Sequence, residues 1–117
     1  MARPFTSLED RKNERRAQAR RRTLLAARLA SGDPVVILPC GVRNLSDHGA
    51  EIELESPALL QPPFSLLMLR DGVVHEARLA WAWGRSAGLQ FTASHPSDLP
   101  PPPSAKVLRS LWTTLRA

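Results

Sequence analysis

One short segment of the sequence alternates strictly between apolar and acidic residues. Positions 50–55 read Ala-Glu-Ile-Glu-Leu-Glu. Because successive side chains of a β-strand point to opposite faces, this pattern gives the segment one apolar face and one wetted face. The alternation therefore predicts a strand of an antiparallel sheet that is buried on one side only.

Five further β-type runs surround this segment, with turn-forming residues between them. They cover residues 24–30, 35–45, 64–70, 73–83 and 87–92. Six short strands with turn signals every eight to twelve residues, and no helical pattern between them, predict an antiparallel barrel or a small sandwich. Closure into a six-stranded barrel would also remove the exposed strand edges.

Several residues predict local details of this sheet. Pro39 interrupts the run 35–45 and suggests a strand edge or a bulge. Asp71 and Gly72 separate two β-type runs and predict a two-residue type I′ hairpin turn, in which both residues need positive φ. Trp81 and Trp83 share one face of a strand and are predicted to be core or helix-docking residues rather than ligand stackers.

The C-terminal segment 98–117 combines a proline-rich spacer with a helical pattern. Ser104 follows four consecutive prolines and is a predicted N-cap. Apolar residues then recur at helical spacing: Val107, Leu108, Leu111, Trp112 and Leu115. We expect a short amphipathic helix, anchored by Trp112, that docks on the barrel or on another chain, including a second copy of the protein.

The positive charge is concentrated at the N-terminus. The net charge is +5, and residues 1–28 contain nine of the sixteen Lys and Arg against three acidic residues. The other 89 residues contain seven basic and eight acidic side chains. We therefore divide the chain into a basic arm (1–22), a nearly neutral barrel (23–97), and the spacer with its helix (98–117). Such an arm attracts phosphate groups.

The composition indicates a globular cytoplasmic protein. The chain is 43% hydrophobic and 23% charged, without an apolar stretch long enough to span a membrane. The segment Met1 to Leu8 lacks the continuous apolar region of a secretory signal. Cys40 is the only cysteine and is expected to be a small buried hydrophobic residue in a reducing compartment.

The sequence carries no pattern typical of an enzyme, a metal site or a cofactor site. Ser46, Asp47 and His48 are the residue types of a hydrolase triad, but adjacent residues cannot relay a proton in the required geometry. The three histidines and Cys40 lack metal-ligand spacing, and no glycine-rich phosphate loop is present. We therefore expect a binding protein.

Two features favour an anionic ligand. Arg16 and Arg20 lie four residues apart, where two guanidinium groups can hold one anion. Asn44, Ser46 and Gly49 lie in a connection between strands. Each feature by itself is also typical of ordinary structure: a solvated basic arm, and a tight turn in which Asn and Ser bond their own backbone and Gly supplies positive φ.

Taken together, the two features resemble the PilZ domain, the bacterial receptor module for cyclic di-GMP. An R-x-x-x-R pair precedes a strand and a hairpin, followed by N-x-S-x-x-G and an alternating strand. Ala27-Arg28-Leu29 resembles the first-strand element of that family, and Val74 to Trp83 with Gly88-Leu89-Gln90-Phe91 resembles its closing hairpin. The resemblance covers residues 15–91.

The resemblance implies a six-stranded barrel with a C-terminal helix and a ligand site between the arm and the barrel. Arg16 and Arg20 would hold phosphates and stack on guanine, whereas Asn44 and Ser46 would hydrogen-bond a guanine edge. Gly49 would let the ligand approach the backbone. The adjacent Arg21 and Arg22 depart from the family pattern, which usually becomes apolar there.

The sequence thus predicts a cyclic di-GMP receptor that signals through a separate, unidentified protein. One alternative is a PilZ-like adaptor that contacts other proteins without binding the nucleotide. A second alternative is a nucleic-acid binder that uses its basic arm. The absence of Tyr or Phe pairs on the strands counts against nucleic acid as the partner.

Overall fold

The computed structural model of the protein describes residues 24–116, which form six strands and one helix. The strands are β1 (Leu25–Ser31), β2 (Val36–Leu45), β3 (Gly49–Leu54), β4 (Phe64–Met68), β5 (Val74–Trp83) and β6 (Ser86–His95). A short 3₁₀ turn (Pro103–Ala105) leads into helix α1 (Lys106–Arg116). Every strand begins within one residue of the predicted start.

The six strands form a closed antiparallel barrel. Their order around the barrel is β1-β2-β3-β6-β5-β4, and β4 pairs with β1 to complete the ring. The predicted six-stranded barrel is therefore confirmed. Closure leaves no strand with an unpaired edge along its whole length.

The barrel interior is filled by apolar side chains from all six strands. The largest fully buried ones there are Leu29, Ile52, Leu66 and Met68. Strand β3 contributes Ile52 and Leu54 to this core, as its alternation predicts. Glu51 departs from the pattern, because this residue is only 4% exposed although it points away from the core.

Helix α1 packs against the outside of the barrel. Leu108 is fully buried in a second apolar cluster that also contains Leu67 and Val74. The Trp112 indole packs against this cluster and its Nε1 donates a hydrogen bond to the Leu69 carbonyl at 3.0 Å. The predicted docking of the helix on the barrel, with Trp112 as an anchor, is confirmed.

The start of the helical segment differs from the prediction. The 3₁₀ turn begins at Pro103, and Pro102 occupies the N-cap position without a side-chain capping bond. Ser104 therefore lies inside the first turn rather than before it. Proline is favoured in a first turn because the missing N–H would have no helical partner there.

The β4–β5 connection is a hairpin turn, but not of the predicted type. It runs from Leu69 to Gly72, and the Gly72 N–H donates to the Met68 carbonyl at 2.8 Å. Only Gly72 has positive φ (75°), and Asp71 does not. The type I′ prediction is wrong because this longer loop needs one left-handed residue instead of two.

The two irregularities of β2 have separate positions. Pro39 pairs with Arg28 of β1, but the ladder between β2 and β3 begins only at Cys40. Pro39 therefore has a paired strand on one side only, as a residue in an edge strand has. The bulge of β2 lies instead at Arg43, where the register with β3 shifts.

The two tryptophans of β5 lie outside both apolar clusters, so the prediction of core or helix-docking roles is wrong for them. Trp83 is 75% exposed beside the β5–β6 turn. Trp81 lies over Gly88 of β6, where an added Cβ would be 2.1 Å from the indole Nε1. The glycine leaves room for the ring on the outer surface.

Two further predictions concern burial and membranes. Cys40 is buried in the barrel core, and burial raises the pKa of its thiol to about 12. No helix within residues 24–116 is long and apolar enough to cross a membrane.

Candidate ligand site at the β2–β3 corner

The turn between β2 and β3 is held by Ser46. Its N–H donates to the Gly49 carbonyl at 2.9 Å, and its Oγ accepts from the His48 N–H at 3.2 Å. The His48 carbonyl in turn accepts from the Phe91 N–H at 2.8 Å, which fixes the turn to β6. Ser46 thus bonds its own backbone, as predicted for a turn serine, while its hydroxyl remains at the surface.

Gly49 is required by a close approach of two strands. A Cβ at this position would lie 2.2 Å from the Leu89 carbonyl oxygen of β6. Gly49 is not among the glycines with positive φ, so the expected left-handed conformation is wrong. The glycine lets β6 approach β3 at the corner.

The bulge of β2 places two consecutive side chains on the same carboxylate. Val42 pairs with Ile52, and the next paired position is Asn44 opposite Glu51, so that Arg43 is the extra residue. In a regular strand, neighbouring side chains point to opposite faces. The bulge re-aims one of them, which allows Arg43 and Asn44 to reach Glu51 together.

Glu51 is the centre of this arrangement. Arg43 Nη2 donates to Glu51 Oε2 at 2.6 Å, and Asn44 Nδ2 donates to Glu51 Oε1 at 2.7 Å. A carboxylate buried to this extent needs charged and hydrogen-bonding partners to offset the loss of water. The two β2 side chains supply them. Sequence reasoning missed Glu51, because its alternating pattern assigned it to the wetted face.

The cross-strand neighbours of Glu51 on the outer surface lead to an aromatic ring. Glu51 pairs with Gly88 in β6, and Gly88 pairs with Trp81 in β5. Since Trp81 covers Gly88, its indole lies one strand away from the Glu51 carboxylate. Sequence reasoning expected no ligand-facing role for Trp81. The signal was the glycine opposite it, which leaves space for a ring on the outer face.

The predicted arginine pair lies outside the described residues, but the point where its segment joins the barrel is clear. Leu25, the first residue of β1, pairs with Val42, two positions before Asn44. Arg20 lies five residues before Leu25, a distance of at most about 18 Å along an extended chain. Asn44 lies about 7 Å from Val42 along its strand. Chain length therefore permits Arg20 to reach the corner.

The described part of the corner offers a surface hydroxyl and an oriented amide beside the entry of a basic segment, and an aromatic ring over β6, two strands from the amide. Groups of this kind can hydrogen-bond and stack on a flat polar ligand. Within residues 24–116, no three His, Cys, Asp or Glu side chains are placed to hold a metal ion together. No family model, no curated protein and no solved structure matches this chain.

Proposed function

We propose that the protein binds cyclic di-GMP between its basic arm and the outer face of β2, β3 and β6, and signals through a partner protein. One observation carries the proposal. Asn44 and Ser46 lie exposed at one corner of the barrel, beside the strand end to which the arm is joined. Both residues belong to the N-x-S-x-x-G motif, one of the motifs that together resemble the PilZ domain.

The charge distribution supports a ligand that is anionic and flat. Cyclic di-GMP carries two negative phosphates and two guanine rings. The arm holds the excess of positive charge, whereas the rest of the chain is nearly neutral. Arginine can pair with phosphate through two donors and can also stack on a purine, so one arginine-rich segment can serve both parts of the ligand.

The proposal is tested by calorimetric titration of cyclic di-GMP into the full chain at two salt concentrations. We expect Arg16→Ala and Arg20→Ala each to weaken binding about ten- to hundredfold, because both would lose directed bonds to charged groups. Ser46→Ala should cost less, about two- to tenfold, as expected for one neutral hydrogen bond.

Arg21→Ala and Arg22→Ala are the matched controls, since they remove the same charge from the same segment. Their effect should be small and should disappear at high salt, as a screened interaction does. The receptor proposal would be refuted if the unmodified protein did not bind cyclic di-GMP. Equal, strongly salt-dependent losses in all four arginine variants would indicate charge-driven binding of nucleic acid instead.

A second candidate function, a protein adaptor without a nucleotide, is favoured by the opposite end of the barrel. The β1–β2, β3–β4 and β5–β6 connections meet there, since Arg85 donates to the Glu55 carbonyl and the Gly32 N–H donates to the Pro63 carbonyl. This end exposes large apolar side chains, with Leu59 82% and Trp83 75% exposed. The same titration separates the candidates, because an adaptor of this kind would not respond to cyclic di-GMP.

A further inference from the structure

We propose that Glu51 is a positioning residue that fixes the polarity of Asn44, so that this position offers a ligand a hydrogen-bond acceptor and thereby selects guanine over adenine. The inference rests on the proposed function, since it concerns the ligand of the same corner. It assigns a role to a residue outside the motif that suggested that function.

The first step concerns the orientation of the Asn44 amide. The Glu51 carboxylate lies 2.7 Å from the Asn44 side chain and has no hydrogen to donate when ionised. Asn44 must therefore turn its Nδ2 toward Glu51. Arg43, a donor only, lies at 2.6 Å on the other carboxylate oxygen and balances the negative charge. The hydrogen-bond chemistry leaves one orientation for the amide.

The second step concerns the atom that remains for a ligand. Asn44 is exposed, and no described residue donates a hydrogen bond to its Oδ1. A bound base would thus meet an acceptor at this position. Guanine carries a hydrogen at N1 and an amino group at N2, whereas adenine has an acceptor at N1. An acceptor directed at N1 favours guanine and leaves a buried polar group unpaired when adenine takes its place.

The third step explains why the motif residue is Asn rather than Asp in this chain. Aspartate at position 44 would place a second carboxylate within hydrogen-bond distance of Glu51, and two like charges at that distance repel. With Glu51 present, an amide is the side chain that offers an acceptor to the ligand while it donates to its neighbour.

The test reverses the polarity of the pair. In Glu51→Gln, the amide oxygen at position 51 accepts from Arg43, so that its Nε2 faces Asn44. Asn44 then turns its Oδ1 inward and presents Nδ2, a donor, to the ligand. Adding Asn44→Asp to Glu51→Gln restores an outward acceptor, because the new carboxylate accepts from the neighbouring amide and still has a free oxygen.

The matched control is Glu53→Gln. Glu53 lies two residues along β3 on the same outer face and contacts Arg85 at 3.5 Å rather than Asn44. It undergoes the same chemical change without touching the amide. Thermal unfolding of each variant reports whether the barrel is retained.

Cyclic di-GMP and cyclic di-AMP are titrated into the unmodified full-length protein and the three variants. We expect Glu51→Gln to weaken cyclic di-GMP binding about tenfold and to shift the preference toward cyclic di-AMP. The double variant should recover cyclic di-GMP affinity to within about twofold of the unmodified protein, which is no more than the smallest effect expected for one hydrogen bond. Glu53→Gln should leave both affinities unchanged.

The contrary outcomes separate the two proposals. If the unmodified protein does not bind cyclic di-GMP, the proposed function fails and this inference fails with it. If that protein binds, but Glu51→Gln lowers both affinities equally or the double variant shows no recovery, only the positioning role of Glu51 is overturned. A merely structural role of Glu51 does not predict this recovery, because the second substitution would then add to the damage caused by the first.

Discussion

At the scale of single residues, His75 shows how burial alters the chemistry of one group. Its ring stacks on Phe91, with centroids 4.0 Å apart and ring planes 3° from parallel, and its Nδ1 lies 2.7 Å from Ser94 Oγ. Desolvation lowers the pKa of His75; Asp71 opposes this effect and His95 adds to it. The folded protein therefore favours the neutral ring.

This shift predicts the direction of one pH dependence. The folded state binds a proton at His75 less readily than the unfolded state does. The contribution of His75 to the free energy of unfolding is therefore fully present above the unfolded pKa of about 6.5. It is lost as the pH falls through the lower, folded pKa. We expect the free energy of unfolding to decrease between pH 7 and pH 5, and to decrease less in His75→Gln.

Denaturant unfolding at several pH values measures this slope. His48→Gln, a change in the exposed β2–β3 turn, is the control and should keep the slope of the unmodified protein. An identical slope in His75→Gln and the unmodified protein would contradict the prediction. The slope is compared rather than the absolute stability, because the substitution also removes the stacked ring.

At the scale of elements, helix α1 is attached through both its apolar face and one arginine. Leu108 and Trp112 face the barrel, whereas Val107 and Leu115 are exposed. The Arg109 guanidinium donates to four carbonyl oxygens at the end of β6 and in the segment that follows it, those of His95, Pro96, Ser97 and Leu99. The helix thereby covers the β1–β4–β5 side and orders the chain that leads to it.

The contacts of Trp112 predict a large effect of its removal. Its ring packs against Gly72, where a Cβ added to the glycine would lie 2.7 Å from ring atoms. Its Nε1 donates a hydrogen bond to the Leu69 carbonyl. Trp112→Ala should destabilise the protein by about 2–4 kcal/mol, somewhat below the cost for a fully buried ring. Leu115→Ala, on the exposed face, should change stability by less than about 0.5 kcal/mol.

Thermal or denaturant unfolding checks both helix variants. Equal stability of Trp112→Ala and Leu115→Ala would mean that the helix does not stabilise the barrel through its anchor. The comparison is matched, because both residues lie on the same helix three residues apart and both are cut back to alanine.

At the scale of the whole molecule, the barrel is complete without the N-terminal segment. Within residues 24–116, the ring of strands begins with Leu25 and closes through β4 and β1. The arm supplies charge, and the barrel supplies the oriented polar groups. Folding and ligand binding are therefore expected to be separable.

Deletion of residues 1–22 tests this separation. We expect cooperative unfolding with a melting temperature within about 5 °C of the full chain, because the large apolar side chains of residues 1–22 are only Met1, Phe5 and Leu8. Cyclic di-GMP binding should fall below detection by calorimetry. The full-length Arg16→Ala/Arg20→Ala double variant is the control and should show the same loss of binding. Non-cooperative unfolding, or unchanged binding, after the deletion would contradict the prediction.

The sequence by itself determined the number, order and approximate bounds of the strands. The segment 50–55 carries a period-2 pattern, the other strands are β-type runs, and turn residues such as Gly32 and Gly72 lie between them. These signals are local, since they depend on how side chains alternate along one strand and on which residues tolerate positive φ. The amphipathic pattern of α1 was readable for the same reason.

Only the tertiary structure decided how neighbouring strands meet. The bulge at Arg43 brings two β2 side chains to Glu51, and the pairing of Gly88 with Trp81 puts the indole on the outer face. Both follow from cross-strand register, which joins residues far apart in the chain. The alternating pattern of residues 50–55 therefore could not predict the burial of Glu51, because the partners that make burial of a carboxylate tolerable lie on another strand.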